Sequence, residues 1–253
     1  MRAQSDRWSF SASRATHVWK AVTQQHHREL LPLFRRLVPR DGIVLDVGAH
    51  AGQFAKLFAR CAPAGRVYAV EPSGYTRSIL RIVVRLRRLA NVTVVPAALG
   101  AETREVRLST PIKASGARGF GLAHLGEPDA RWSRVAVELV EETTLDELAV
   151  RLALSRLDFI KADIEGSEMR LLTGARRTIE RFRPRLMLEL NDAHLARAGD
   201  TVADAFALTA ALGYRAFVMR PDGRLVPAES GAAGDFWFLP AGDPVIATLT
   251  ETR

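Results

Sequence analysis

The sequence predicts an α/β fold, a doubly wound and mostly parallel sheet closed by an antiparallel pair of strands. Three observations predict it. Short apolar runs alternate with stretches of helical periodicity along most of the chain, the first run ends in a glycine turn that opens a helix, and the second ends in a carboxylate, Glu71.

Residues 1–40 carry Trp8, Phe10, Trp19, Leu30, Leu31, Leu33, Phe34 and Leu37 among polar positions, a helical spacing that stops near Pro39 and the turn Arg40-Asp41-Gly42. They are read as an N-terminal helical cap, with residues 41–253 as the main domain. Ile43 to Val47 lacks strict alternation, as expected of a strand buried on both faces. A helix over Gln53 to Cys61 is broken by Pro63-Ala64-Gly65, and a strand from Arg66 to Glu71 completes a β-α-β unit. Pro72-Ser73 opens a long helix to about Leu89, and Val92 to Val95 is the third strand.

Glu105 to Thr110 and Val135 to Glu141 are expected as shorter, more polar strands flanking a glycine-rich loop, Ser115 to Gly126, within an insertion of about residues 111–133. Thr144 caps a short helix through Ala149, with Glu147 completing a capping box. Leu157 to Ala162 is the fourth main strand, followed by a helix from Glu168 to Phe182 and a fifth strand, Leu186 to Leu190. A helix from about Val202 to Leu212 leads to the closing pair, Tyr214 to Met219 and Phe236 to Leu239, with Pro221-Asp222-Gly223 as the turn between them.

At 253 residues and 47% hydrophobic content the chain can bury one substantial core. No apolar run approaches the roughly 18 residues a membrane span needs, and the basic N-terminus lacks the apolar core of a signal peptide, so a cytoplasmic location is expected. The single cysteine, Cys61, has no partner at metal or disulfide spacing and is read as core filling. The net charge of +8 raises nucleic acid or an anionic membrane surface as partners, but the basic residues are scattered, so nucleic acid is disfavoured. Trp8 and Trp19 are candidates to cap the site or to join two copies in a homodimer.

Two constellations carry chemistry. Asp46-Val47-Gly48-Ala49-His50-Ala51-Gly52 stands at a strand-to-helix turn, where glycines admit a ligand close to the backbone and the helix N-terminus offers amides. Its glycines follow a G-x-x-x-G spacing, closer to a methyltransferase turn than to the G-x-G-x-x-G of nicotinamide enzymes. Glu71, ending the next strand, is placed to accept both ribose hydroxyls of a nucleoside cofactor. The second constellation, Lys161, Asp163, Glu165 and Glu168, crowds the C-terminal edge of the fourth strand, where ligands of open α/β sheets sit. Helix capping accounts for one or two of these acids, though not for Lys161 as well.

VLDVGAHAGQ at 44–53, Val-Glu-Pro at 70–72, Ala97-Ala98-Leu99-Gly100, Thr144-Leu145-Asp146, Ile160 to Glu168, and Gly174-Ala175 followed by Pro184 and Leu188-Glu189 together resemble the FkbM family. The resemblance covers about residues 43–190, and Lys161-x-Asp163-x-Glu165-Gly166-x-Glu168 is its most specific part. It implies a class I S-adenosylmethionine-dependent methyltransferase on a Rossmann-like, seven-stranded sheet, O-methylating a hydroxyl of a small molecule such as a sugar, glycolipid or polyketide-type natural product. The expected cofactor set is Asp46, Gly48, Ala49, His50, Gly52, Gln53, Glu71, Pro72, Ala97, Ala98 and Asp163. The acceptor side is unmatched, because residues 1–40 and 111–132 fit no family motif.

Methyl transfer from a sulfonium requires in-line placement of the acceptor oxygen and help in removing its proton. Asp163 and Glu165 are the leading bases, followed by His194 and His50; Lys161 and Glu168 are expected to pair and orient the acids. The alternative is a magnesium ion held by Asp163 with Glu189, Asn191 or Asp192. An inactive cofactor-binding module, an NAD-dependent oxidoreductase and a nucleic-acid methylase are the competing readings.

Overall fold

The computed structural model describes residues 12–112, 119, 123–126, 132–231 and 233–250; Trp8, Phe10 and most of the segment 113–131 lie outside them. Two helices, α1 (Ala12–Thr23) and α2 (Leu31–Leu37), open the described chain. The apolar stripe of α2 enters the main core, where Phe34 meets the rings of Phe54, Phe58, Phe159 and Trp237.

The first β-α-β units are β1 (Ile43–Val47), α3 (Gln53–Cys61), β2 (Arg66–Val70), α4 (Gly74–Leu86) and β3 (Val92–Val95). Ser73 caps α4 by accepting from the Thr76 amide, so the helix begins after Pro72 as the sequence suggests. Cys61 is buried in the core, and burial pushes its thiol up to about 11.

β4 (Ala98–Leu99), β5 (Arg104–Pro111), β6 (His124–Leu125) and β7 (Val135–Thr143) form a separate four-stranded sheet in the order β4-β7-β5-β6. α5 (Leu145–Arg151) follows, capped by Thr144. Its expected capping box is only half formed, because the Glu147 carboxylate turns to the Thr103 and Thr143 hydroxyls instead of the Thr144 amide.

Next come β8 (Phe159–Ala162), α6 (Glu168–Gly174) and α7 (Arg176–Phe182). The sequence suggests one helix over 168–182, and the structure breaks it at Ala175. Gly174 lies so close to the Gly100 carbonyl that a β-carbon would stand 2.0 Å from its oxygen. Asp146 then caps the second half, accepting from the Thr178 and Arg177 amides at 2.7 and 3.2 Å.

β9 (Arg185–Leu190), α8 (Asp192–Leu195), α9 (Val202–Ala211), β10 (Tyr214–Met219), β11 (Leu225–Pro227), β12 (Gly234–Pro240) and α10 (Val245–Thr250) complete the chain. The main sheet runs β3-β2-β1-β8-β9-β12-β10-β11. All pairings from β3 to β9 are parallel, and β12 is antiparallel to both β9 and β10.

The closing pair differs from expectation in one respect. Pro221-Asp222-Gly223 joins β10 to the edge strand β11, while β12 inserts between β10 and β9. The run Phe236-Trp237-Phe238-Leu239 is buried on both faces, which only an interior position satisfies. Successive strands travel outward from β1 through β2 to β3, whereas β8 to β10 lie on its other side, so the topological switch falls between β1 and β8.

Candidate active site

A cleft of about 290 Å³ opens at that switch, between the C-terminal ends of the main sheet and the second sheet. Gly48, Ala49, His50, Gln53, Glu71, Pro72, Ala97 and Ala98 border it, as do Lys161, Asp163 and Glu165. The two constellations read from the sequence therefore face one space.

The glycine turn works through close approach. Gly48 has φ +72°, and a β-carbon there would stand 2.0 Å from the Asp163 carbonyl oxygen, so only glycine lets the β1 and β8 tips meet. The amides expected to face a ligand are already used: Gly48 and Ala49 donate to the Val70 carbonyl, and His50 donates to Glu71. Gly52 lies outside the cleft lining and, with φ +86°, makes the N-cap of α3.

Glu71 is 7% exposed. Its two oxygens accept from the His50 and Ser73 amides, each at 2.9 Å. Burial pushes its carboxyl up to about 7, against the pull of those amides. Glu138 of β7 secures this corner, accepting from the Ser73 hydroxyl at 3.0 Å and the Gly74 amide at 2.8 Å.

Asp46 does not reach the cleft. It lies wholly buried beneath it, opposite Lys161 in the β1–β8 register, with 4.0 Å between Oδ1 and Lys161 Nζ. Burial raises its carboxyl to about 6 and Lys161 opposes the shift. Lys161 also lies 3.3 Å from Asp163 Oδ2 and 4.7 Å above the Phe54 ring.

The expected Lys161–Glu168 pair is thus replaced by a Lys161–Asp163 pair. Glu168 is 1% exposed and turns back into its own loop, accepting from the Ile164 and Gly166 amides at 2.9 and 3.1 Å. It braces the segment that presents Asp163 and Glu165, and it does not border the cleft.

Asp163 is one-third exposed, at 33% of its side chain. Glu165 sits in the left-handed region at φ +55°, a conformation that costs a non-glycine residue about 1–2 kcal/mol. His194 Nδ1 stands 3.0 Å from its Oε2, so the structure joins two residues that the sequence named separately. Burial, then the nearby Asp163, pushes Glu165 up to about 7. His50 is held below its usual value by burial and then by Lys161.

Of the magnesium set only Asp163 and Glu189 meet, their side chains sharing a hydrogen bond. Asn191 Oδ1 caps α8 by accepting from Ala193, and Asp192 Oδ1 accepts from Val202. Glu189 faces Asp235 of β12 in register, and burial, Asp163 and Asp235 push it up to about 7. Among the described residues no three His, Cys, Asp or Glu side chains gather as metal ligands.

Sequence reasoning missed several residues that border the cleft. His27 and Phe54, stacked at 4.7 Å, wall it on the N-terminal side, and Leu108, His124 and Leu125 wall it from the second sheet. These positions lie on segments without motif spacing, and only the tertiary fold brings them to the site.

The domain model for the FkbM methyltransferase matches residues 46–216, from Asp46 through β10. The chain belongs to the FkbM methyltransferase family. Its structure aligns with the FkbM methyltransferase of Methylobacillus flagellatus KT over 81% of this chain and 47% of that one, at 20% identity and a TM-score of 0.51. It is also 27% identical over 210 residues to the AMB antimetabolite synthetase AmbE of Pseudomonas aeruginosa, covering 72% of this chain. This FkbM-family chain spans about 10% of the length of that synthetase. SMU.1697c of Streptococcus mutans, solved with SAH, aligns over 85% of this chain and 94% of that one at 9% identity and a TM-score of 0.48. No helix among the described residues is long and apolar enough to cross a membrane.

Proposed function

We propose that this FkbM-family chain is a cytoplasmic S-adenosylmethionine-dependent O-methyltransferase acting on a hydroxyl of a small molecule: a sugar, a glycolipid or a polyketide-type product. The observation that carries the reading is the single cleft running from Glu71 to Asp163 and Glu165 across the β1–β8 switch. The resemblance to a segment of an antimetabolite synthetase supports a natural-product acceptor.

The residues present fit the cofactor. Glu71, buried with a carboxyl near neutrality, suits ribose hydroxyls, and the apolar wall of Ala97, Leu99 and Leu108 suits a planar base. Lys161, bordering the cleft, suits the carboxylate of the amino-acid end. When bound, the cofactor supplies a methyl group on positively charged sulfur.

The chain's own residues do the rest. The cleft walls hold the acceptor oxygen in line with the methyl carbon. As the new C–O bond forms and the C–S bond breaks, the electron pair leaves on sulfur and Asp163 receives the hydroxyl proton. Lys161 keeps that carboxylate aimed, and the Glu165–His194 pair passes the proton on toward solvent.

The test incubates the full chain with S-adenosylmethionine and a panel of sugar and polyketide alcohols, with mass spectrometry locating the added methyl on oxygen. D163N is expected to lower turnover about a hundredfold or more while keeping S-adenosylhomocysteine affinity. Undiminished turnover in D163N overturns the base assignment. A thermal shift with NAD and none with S-adenosylhomocysteine overturns the cofactor.

A further inference from the structure

Scattered along the sequence, the positive charge is gathered by the fold. α1, α3 and α4 form one helical layer, and none of them contains an aspartate or glutamate. α1 packs on α4 through Ala21, Tyr75, Ile79 and Val83. Lys56 of α3 locks the layer together, donating to the Ala21 and Gln24 carbonyls at 2.8 and 2.7 Å.

Arg60, Arg81, Arg85, Arg87 and Arg88 are exposed on this layer, and none has an ion-pair partner among the described residues. On the helices of the opposite face most arginines are matched: Arg151, Arg170, Arg176 and Arg177 each meet a carboxylate, and Arg181 lies on the Phe182 ring. The crowding is felt by Lys56, whose amine is pushed down to about 8 by burial and then by Arg87, Arg60 and Arg28. The same layer leaves two large apolar side chains in water, Trp19 at 61% and Leu86 at 60% exposure.

Unmatched like charges repel one another, and a dense anionic surface relieves that repulsion. Apolar side chains set among arginines add a demand that phosphate alone does not meet. Trp19 and Leu86 gain from entering an apolar boundary while neighbouring guanidiniums stay at headgroup level. We propose that this layer docks the protein on an anionic lipid bilayer, with the arginines against headgroup phosphates and Trp19 and Leu86 in the interface. A single-stranded nucleic-acid groove calls for stacking aromatics between its cations, and here a single tryptophan and a leucine stand on different helices; a duplex contacted through its phosphates leaves such apolar side chains unused.

The experiment floats the full chain with vesicles of phosphatidylcholine alone and of phosphatidylcholine mixed with phosphatidylglycerol, at low and high salt. Binding is expected to the mixed vesicles alone and to fade at high salt. R85Q/R87Q/R88Q is expected to weaken it about a hundredfold, about fivefold per charge removed. W19A is expected to weaken it without changing the salt dependence. An unchanged melting temperature and S-adenosylhomocysteine affinity show that each variant is folded. Equal binding to both vesicle types, no binding to either, or a triple variant that binds like the parent overturns the proposal. Displacement from vesicles by duplex RNA or DNA assigns the surface to nucleic acid and also overturns it.

Discussion

Changing Glu71 tests the cofactor half of the site most directly, because its ionisation and its hydrogen bonds lead to separate measurements. The buried carboxyl titrates near 7, so at about pH 6 it is mostly protonated in the free protein. A carboxylate accepting two ribose hydroxyls must be ionised, so binding at that pH releases a proton. Affinity for S-adenosylhomocysteine then rises with pH and levels off above the free-state value, gaining about tenfold, or about 1.4 kcal/mol, between about pH 6 and about pH 8. Calorimetry in two buffers of different ionisation enthalpy counts the proton directly. E71Q removes the titration, and its affinity should be flat in pH. Glu165 and Glu189 titrate in the same range, so the difference between parent and E71Q is the quantity that decides. The amide also has a single acceptor where His50 and Ser73 present two donors, which leaves one buried N–H unsatisfied at a cost of about 1–3 kcal/mol in stability. A parent affinity independent of pH, with no proton released, refutes the placement of the ribose on Glu71.

G48A forces a side chain into a left-handed turn and against the Asp163 carbonyl; it should lower the melting temperature and abolish S-adenosylhomocysteine binding, read by differential scanning calorimetry and titration. E142A removes a fully buried carboxylate held by Arg104 at 2.7 Å and Arg170 at 2.8 Å. Because Arg104 is nearly half exposed and can turn to water, the expected loss is about 2–3 kcal/mol in urea unfolding, below a fully buried pair. H194A takes the partner from Glu165 and should shift the pH profile of turnover while leaving cofactor affinity unchanged; an unmoved profile removes His194 from the proton path.

The parallel half of the sheet is legible in the sequence because its strands are mostly apolar and most of its turns carry glycine or proline. β1, α3 and β3 fall where the residues suggest. β12 is less legible: Phe236 to Leu239 reads as a strand without indicating which neighbours it joins. Pairing is set by which edge offers burial on both sides, a tertiary property. The break at Ala175 has the same origin, because Gly174 must clear a carbonyl in another segment, and a helical periodicity contains no trace of it. Glu138 illustrates the limit for the site: on a polar strand with three glutamates it looks solvated, yet it holds the turn after Glu71.

Asp46 and Lys161 explain why the two motifs belong together. The sequence suggests Asp46 as a cofactor residue and Lys161 as the partner of Glu168, but they stand opposite one another on adjacent strands, almost without exposure. A buried carboxylate alone is expensive, and its rise to about 6 records that cost even with the ammonium nearby. Lys161 in turn lies between Asp46 below and Asp163 at the cleft, with the Phe54 face on its flank. The strand that forms the glycine turn and the strand that carries the acids are therefore linked by one cation, independently of the backbone ladder. Displacing β1 relative to β8 would unpair Asp46 and misdirect Asp163 together, so the cofactor turn and the reacting edge keep a fixed separation. Methyl transfer depends on that separation, because the in-line arrangement tolerates little displacement between sulfur and the acceptor oxygen.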